Sequence, residues 1–301
     1  MPHALPLVPS GAPGTDGELI AGQDGATIRR TVLPGGVRVI SEHLPGQRSA
    51  SLGAWVGVGS RDETDGHFGS THFLEHLLFK GTVRRTALDI AEAFDAVGGE
   101  ANAATGKEHT CYYARVLDTD LPMAVDVIAD MVTSAAIDAD ELETEREVIL
   151  EELAMNDDDP SDVVHERFSE TVLAGHPLGR PIGGTPETIR AVPRDAVWEH
   201  YRWHYRPETL VVSAAGGVDH DALVSQVADA LVAGGWDLDP ALAPAPAGTR
   251  APSSGSGPSP TSSRCAAPSS RPTSSSGRRV SPRPTTAASR CPCSTPSSAA
   301  G

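Results

Sequence analysis

His72, Glu75 and His76 stand in the order H-x-x-E-H within the stretch Gly69-Ser70-Thr71-His72-Phe73-Leu74-Glu75-His76-Leu77-Leu78-Phe79-Lys80-Gly81-Thr82. On a helix of about 3.6 residues per turn, His72 and His76 project from one face a turn apart, close enough for both imidazoles to bind one ion. Glu75 falls on the same side, where its carboxylate can reach a water beside the ion, the position a general base needs. The chemistry open to these residues is metal-assisted hydrolysis. The plainer reading is an amphipathic helix whose histidines cover a core, and with eleven histidines in the chain a chance match is expected in roughly one such chain in 25. A suitable third ligand decides between the two.

The segment Glu145-Arg146-Glu147-Val148-Ile149-Leu150-Glu151-Glu152-Leu153 supplies several carboxylates. Glu145 and Glu152 are two helical turns apart and share a face. If Glu152 coordinates the ion, Glu145 can lie nearby and orient a histidine ring by hydrogen bonding. Glu151 points about a quarter turn away and Glu147 farther. The competing explanation is an exposed helix solvated by its glutamates.

These residues need elements to hold them. Arg29 to Leu44 reads as two short strands turning at Pro34-Gly35-Gly36, and Ala50 to Val58 as another strand. The spacing predicts helices over His72–Phe79, Ala87–Val97, Leu121–Val132, Ala139–Asn156, Arg194–His204 and Asp219–Leu231. Thr185-Pro186 offers a further N-cap and first-turn pair. Ala101 to Leu117 reads as a hairpin around Gly106-Lys107, and Leu210 to Ala215 as a strand. Strands and helices mix without regular alternation, which predicts an α+β fold, an antiparallel sheet packed with helices in two layers, followed by a disordered tail. His200 and His204 also share a helix face, but no glutamate stands between them and aromatics crowd them, so packing explains them better. Gly57-Val58-Gly59 lacks the third glycine of a dinucleotide loop, with Asp62 in its place.

Composition divides the chain. Residues 1–25 are rich in Pro and Gly and are expected to be disordered, 26–240 form the domain, and 241–301 form a low-complexity Ser/Pro/Arg tail. From Ala243 to Gly301 there is no Leu, Ile, Phe, Tyr, Trp or Met and one Val, which cannot build a core. The last 61 residues carry seven Arg and no Lys, Asp or Glu, leaving 17 basic against 40 acidic residues before them, a balance of −23. That balance argues against a nucleic-acid surface; it favours basic peptides by long-range attraction, with simple solubility as the plainer explanation. Four cysteines form no framework, since Cys111 sits in a strand-like stretch and Cys291-Pro292-Cys293 is not a zinc C-x-x-C pair. With no leader pattern and no long apolar run, a cytoplasmic location without a membrane partner is expected.

Several ordered blocks together resemble the pitrilysin/insulinase family of inverzincins, which includes the mitochondrial processing peptidases. They are Gly59-Ser60-Arg61-Asp62-Glu63, the stretch from Gly69 to Thr82, Gly98-Gly99-Glu100-Ala101-Asn102-Ala103, Glu145-Arg146-Glu147-Val148-Ile149 and His176-Pro177-Leu178-Gly179. In that family a third zinc ligand follows the second histidine at the spacing of His76 to Glu152. The resemblance implies a zinc endopeptidase acting on extended peptides or unfolded segments, with one Zn2+ held by His72, His76 and Glu152. Glu75 would be the general base, Glu145 the acceptor that orients a ligand, and Ala101, Asn102 and Ala103 the sheet edge that receives peptide. The alternative is a zinc-containing module that binds a peptide or partner without turnover, because the family's second domain has no counterpart here. A homodimer or a second lobe would be the expected partner. The Ser/Pro/Arg tail stands where that second domain should begin, as a truncation or a reading-frame shift would produce.

Overall fold

The computed structural model describes residues 11–245. Its strands are β1 (Asp16–Ala21), β2 (Thr27–Val32), β3 (Arg38–His43), β4 (Ser49–Val56), β5 (Glu100–Thr105), β6 (Thr110–Leu117) and β7 (Leu210–Gly216). Its helices are α1 (Ser70–Leu77), α2 (Ala87–Asp95), α3 (Leu121–Ser134), α4 (Ala139–Asp157), α5 (Pro160–Val172), α6 (Pro186–Ala191), α7 (Arg194–His204) and α8 (His220–Ala233). The strands form one sheet in the order β1-β2-β3-β7-β4-β6-β5. Every neighbouring pair is antiparallel except β3 and β7, which run parallel. The α+β expectation therefore holds with one refinement: the sheet is mixed, because β7 returns from the helical region and inserts between β3 and β4.

Side-chain alternation explains why helices cover one face. Strand β4 buries Ala50, Leu52, Ala54 and Val56 while Ser51 and Trp55 face outward. Strand β6 buries Tyr112, Ala114 and Val116 and exposes Tyr113, Arg115 and Leu117; β7 buries Leu210, Val212 and Ala214. A period of two puts these buried positions on one side, and burying that side drives the layers together. Helix α3 packs over β4 and β6, α8 over β3, and α1 over β5 and β6. Cys111 is buried in β6, and that burial pushes its thiol up to about 12.

Two elements depart from the sequence reading. The first 25 residues, expected to be disordered, contain β1, whose register runs from Asp16 opposite Thr31 to Ala21 opposite Thr27. Thr31 and Arg29 donate side-chain hydrogen bonds to the Asp16 carboxylate at 2.7 and 3.0 Å. The ladder with β2 orders a segment whose own composition would not. Helix α5 was not anticipated; Asp159 accepts from the Ser161 amide at 2.7 Å and Pro160 fills its first turn, yet none of its residues is buried. Of the expected tail, residues 246–301 lie outside the described residues. Among the described residues no helix is long and apolar enough to cross a membrane.

Candidate metal centre

Helix α1 is preceded at its N-cap by Gly69, whose φ of 93° is in the left-handed region that favours glycine. Glycine has no side chain with which to cap, and Glu63 from the preceding loop does so instead. Its carboxylate accepts the amide N–H groups of Gly69 and Thr71 at 2.9 and 2.8 Å, satisfying donors that the helix's own ladder cannot pair and placing negative charge at the helix N-terminus. Arg180 fastens the Glu63 loop, donating to the carbonyls of Ser60, Arg61 and Glu63 at 3.0, 3.0 and 2.9 Å while its guanidinium lies 4.7 Å from the Phe68 ring centre. At Gly59 an added Cβ would come within 2.4 Å of Lys107 C and Glu108 N, so glycine lets this loop rest on the β5–β6 turn. Sequence blocks that are far apart in the chain thus meet at the start of α1.

Phe73, Leu74 and Leu77 turn into the core, which leaves His72, Glu75 and His76 partly buried on the other side of α1. The Tyr112 hydroxyl donates to the Leu74 carbonyl at 3.2 Å and ties the helix to β6. Helix α4 starts at Asp138, which accepts the amides of Asp140 and Glu141 at 2.8 and 3.3 Å. It is held by buried Leu142 and Ile149 and by Arg146, which donates to the carbonyls of Ile189 and Val192 and stands 5.3 Å from the Phe73 ring centre.

Between these two helices the donors converge. His72 Nε2 and His76 Nε2 are 3.2 Å apart, and Glu152 Oε2 lies 3.5 Å from each. A tetrahedral site with metal–ligand bonds of about 2.0–2.2 Å has edges of about 3.3–3.6 Å, so the three donors stand close to three corners of one tetrahedron. Among the described residues this is the one group of His, Cys, Asp or Glu ligand atoms that comes together closely enough to hold an ion. The donor set, two imidazoles and a carboxylate, suits zinc.

The surroundings prepare these donors. His76 Nδ1 lies 2.9 Å from Glu145 Oε2, which leaves Nε2 free to offer its lone pair. Lys80 Nζ lies 2.6 Å from the other oxygen of Glu145. Burial, and then the neighbouring His76, hold the His72 imidazole below the usual histidine value, against the opposing pull of Glu75 and Glu152. This favours the neutral, ligating form. His72 Nδ1 is buried against Gly183, where an added Cβ would lie 3.3 Å from it.

Glu75 is outside the donor set and close enough for its charge to act on His72 and Tyr112. Ala101, Asn102 and Ala103 lie on β5, the edge strand beside α1, opposite Ala114, Tyr113 and Tyr112 of β6. His200 and His204 are buried with ring centres 4.4 Å apart, and His200 Nε2 meets Thr71 Oγ1 at 3.2 Å, the packing role expected for them. Sequence reasoning missed Glu63, Arg180 and Lys80. Only Lys80 carried a local signal, its place four residues after His76.

Residues 38–186 match the family described as Insulinase (Peptidase family M16). That span contains His72, Glu75, His76, Glu145 and Glu152. A relative from Streptomyces coelicolor, named an uncharacterized zinc protease, is 55% identical over 227 residues, covering 75% of this chain and 50% of its own. The zinc protease YmxG of Bacillus subtilis, also named uncharacterized, is 43% identical over 200 residues, covering 66% of this chain and 49% of its own. A crystal structure of a protease from Helicobacter pylori superposes with a TM-score of 0.65 at 25% identity, covering 68% of this chain and 49% of that one. The chain spans about half the length of the curated relatives it matches. The chain belongs to the insulinase family, peptidase family M16.

Proposed function

We propose that this chain carries the hydrolytic centre of a zinc-dependent endopeptidase, with one Zn2+ per chain held by His72, His76 and Glu152. The observation that carries this reading is the near-tetrahedral spacing of three donors, at 3.2, 3.5 and 3.5 Å, with Glu75 near enough for its charge to act on His72. A bound zinc ion supplies Lewis acidity, lowering the pKa of a water to about 7 and polarising a peptide carbonyl. Glu75 takes the proton from the attacking water and passes it to the leaving amine, the work of a general base and then a general acid. Glu145 keeps the His76 ring in its ligating orientation.

Among the described residues strand β5 has one strand neighbour, β6, and packs against α1. An extended peptide pairing along Ala101, Asn102 and Ala103 would run beside the donors, held by backbone hydrogen bonds that ask little of its sequence. Extended peptides or unfolded segments are therefore the substrate class, and the −23 balance before the tail draws basic ones. We place this activity in the cytoplasm, with a second copy or lobe completing the peptide site.

The length covered in the relatives supports a second reading, a zinc-containing peptide-binding module without turnover. Zinc analysis of the purified chain, combined with hydrolysis of a quenched basic peptide with and without chelator, separates the two. Hydrolysis that chelator removes and zinc restores supports the endopeptidase. Zinc with peptide binding but no cleavage supports the module.

A further inference from the structure

Glu145 is a carboxylate in a costly place. Its side chain is 4% exposed, in the middle of α4, with one oxygen on His76 Nδ1 at 2.9 Å and the other on Lys80 Nζ at 2.6 Å. Burying a carboxylate is unfavourable unless both oxygens are matched, and the imidazole offers it only one N–H. The cation comes from the 3-10 turn Leu78–Lys80 that continues α1, one turn beyond His76 and 65 positions before Glu145. Its side chain is 34% exposed, so the ammonium keeps contact with solvent while the stem reaches inward. A carboxylate gripped at both oxygens has one orientation; gripped at one, it can swing about that contact.

We propose that Lys80 is a positioning residue for the metal centre, fixing the Glu145 carboxylate so that Glu145 in turn fixes the His76 ring. The role rests on the reading of His72, His76 and Glu152 as ligands, and it touches neither substrate nor ion. Outer partners of a ligand typically govern metal affinity by about 10–100-fold, and a group one contact farther out belongs at the lower end.

Competition with a chromophoric chelator gives zinc affinity independently of turnover, for wild type, Lys80→Met, Lys80→Arg, Glu145→Gln and Lys80→Met/Glu145→Gln. Lys80→Met should weaken zinc binding about tenfold while Lys80→Arg recovers most of that loss. In the Glu145→Gln background removing Lys80 should change affinity by less than about twofold, because residues acting through one another are not additive. That last comparison also serves if Lys80→Met alone fails to fold. Wild-type affinity in Lys80→Met, or a full tenfold cost of removing Lys80 in the Glu145→Gln background, overturns the proposal. Wild type without measurable zinc affinity would instead overturn the metal centre on which it rests.

Discussion

Glu145 Oε2 lies 2.9 Å from His76 Nδ1, the ring nitrogen opposite the one that faces Glu152. The contact fixes which nitrogen carries the proton and so which one donates to an ion. Glu145→Ala should therefore weaken zinc binding by about 10–100-fold, measured by chelator competition. Unchanged affinity would mean that the ring is held by packing alone.

Glu75 lies outside the donor triangle, and the role proposed for it is proton transfer. Glu75→Gln keeps the size of the side chain and removes its basicity. It should bind zinc as wild type does and lose peptide hydrolysis by at least about 10²–10⁴-fold, the usual worth of a positioned acid–base group. A Glu75→Gln variant that cleaves normally would refute the assignment.

Gly69 stands just before α1, the helix of His72 and His76, at a φ of 93°, and a Cβ there would lie 2.4 Å from Ile189 Cδ1. Gly69→Ala combines left-handed strain with overpacking, so a loss of about 1–3 kcal/mol in chemical denaturation is expected. A variant as stable as wild type would show that α1 starts without that constraint.

Burial pushes the Glu63 carboxyl above the usual carboxylate range, against the pull of the Gly69 and Thr71 amides and of Arg180. The folded protein thus keeps this proton to a higher pH than the unfolded chain, whose value is about 4.3. Between the two values the folded state binds more protons, so this group favours folding most below the lower value and loses that contribution as pH rises through the higher one. Glu63→Gln abolishes this dependence. The stability of wild type relative to Glu63→Gln should fall as pH rises from about 4.5 to 7, measured by urea unfolding at each pH. A difference that grows with pH would contradict the sign.

Local periodicity made much of the fold legible. The helical stripes and the paired strands at Pro34-Gly35-Gly36 and Gly106-Lys107 appear where spacing and turn residues put them. The helix of His72 and His76 followed from five residues, whereas preferring Glu152 among four nearby glutamates needed the resemblance as well as the helix face. What stayed hidden is non-local. Strand β1 exists through its pairing with β2, and α5 has no buried stripe to give it a period. Glu63 caps a helix that begins seven residues later, and the Lys80–Glu145 pair joins residues 65 positions apart. Parallel insertion of β7 beside β3 leaves no mark in either strand's own sequence.

A metal centre built from His72, His76 and Glu152 should close on a single zinc ion. Titration of the metal-free chain with zinc, followed by calorimetry and repeated on Glu152→Ala, tests it directly. One zinc per chain in wild type and an affinity lower by at least about 100-fold in Glu152→Ala is the predicted result. Equal zinc binding by the two proteins, or none by wild type, would contradict it.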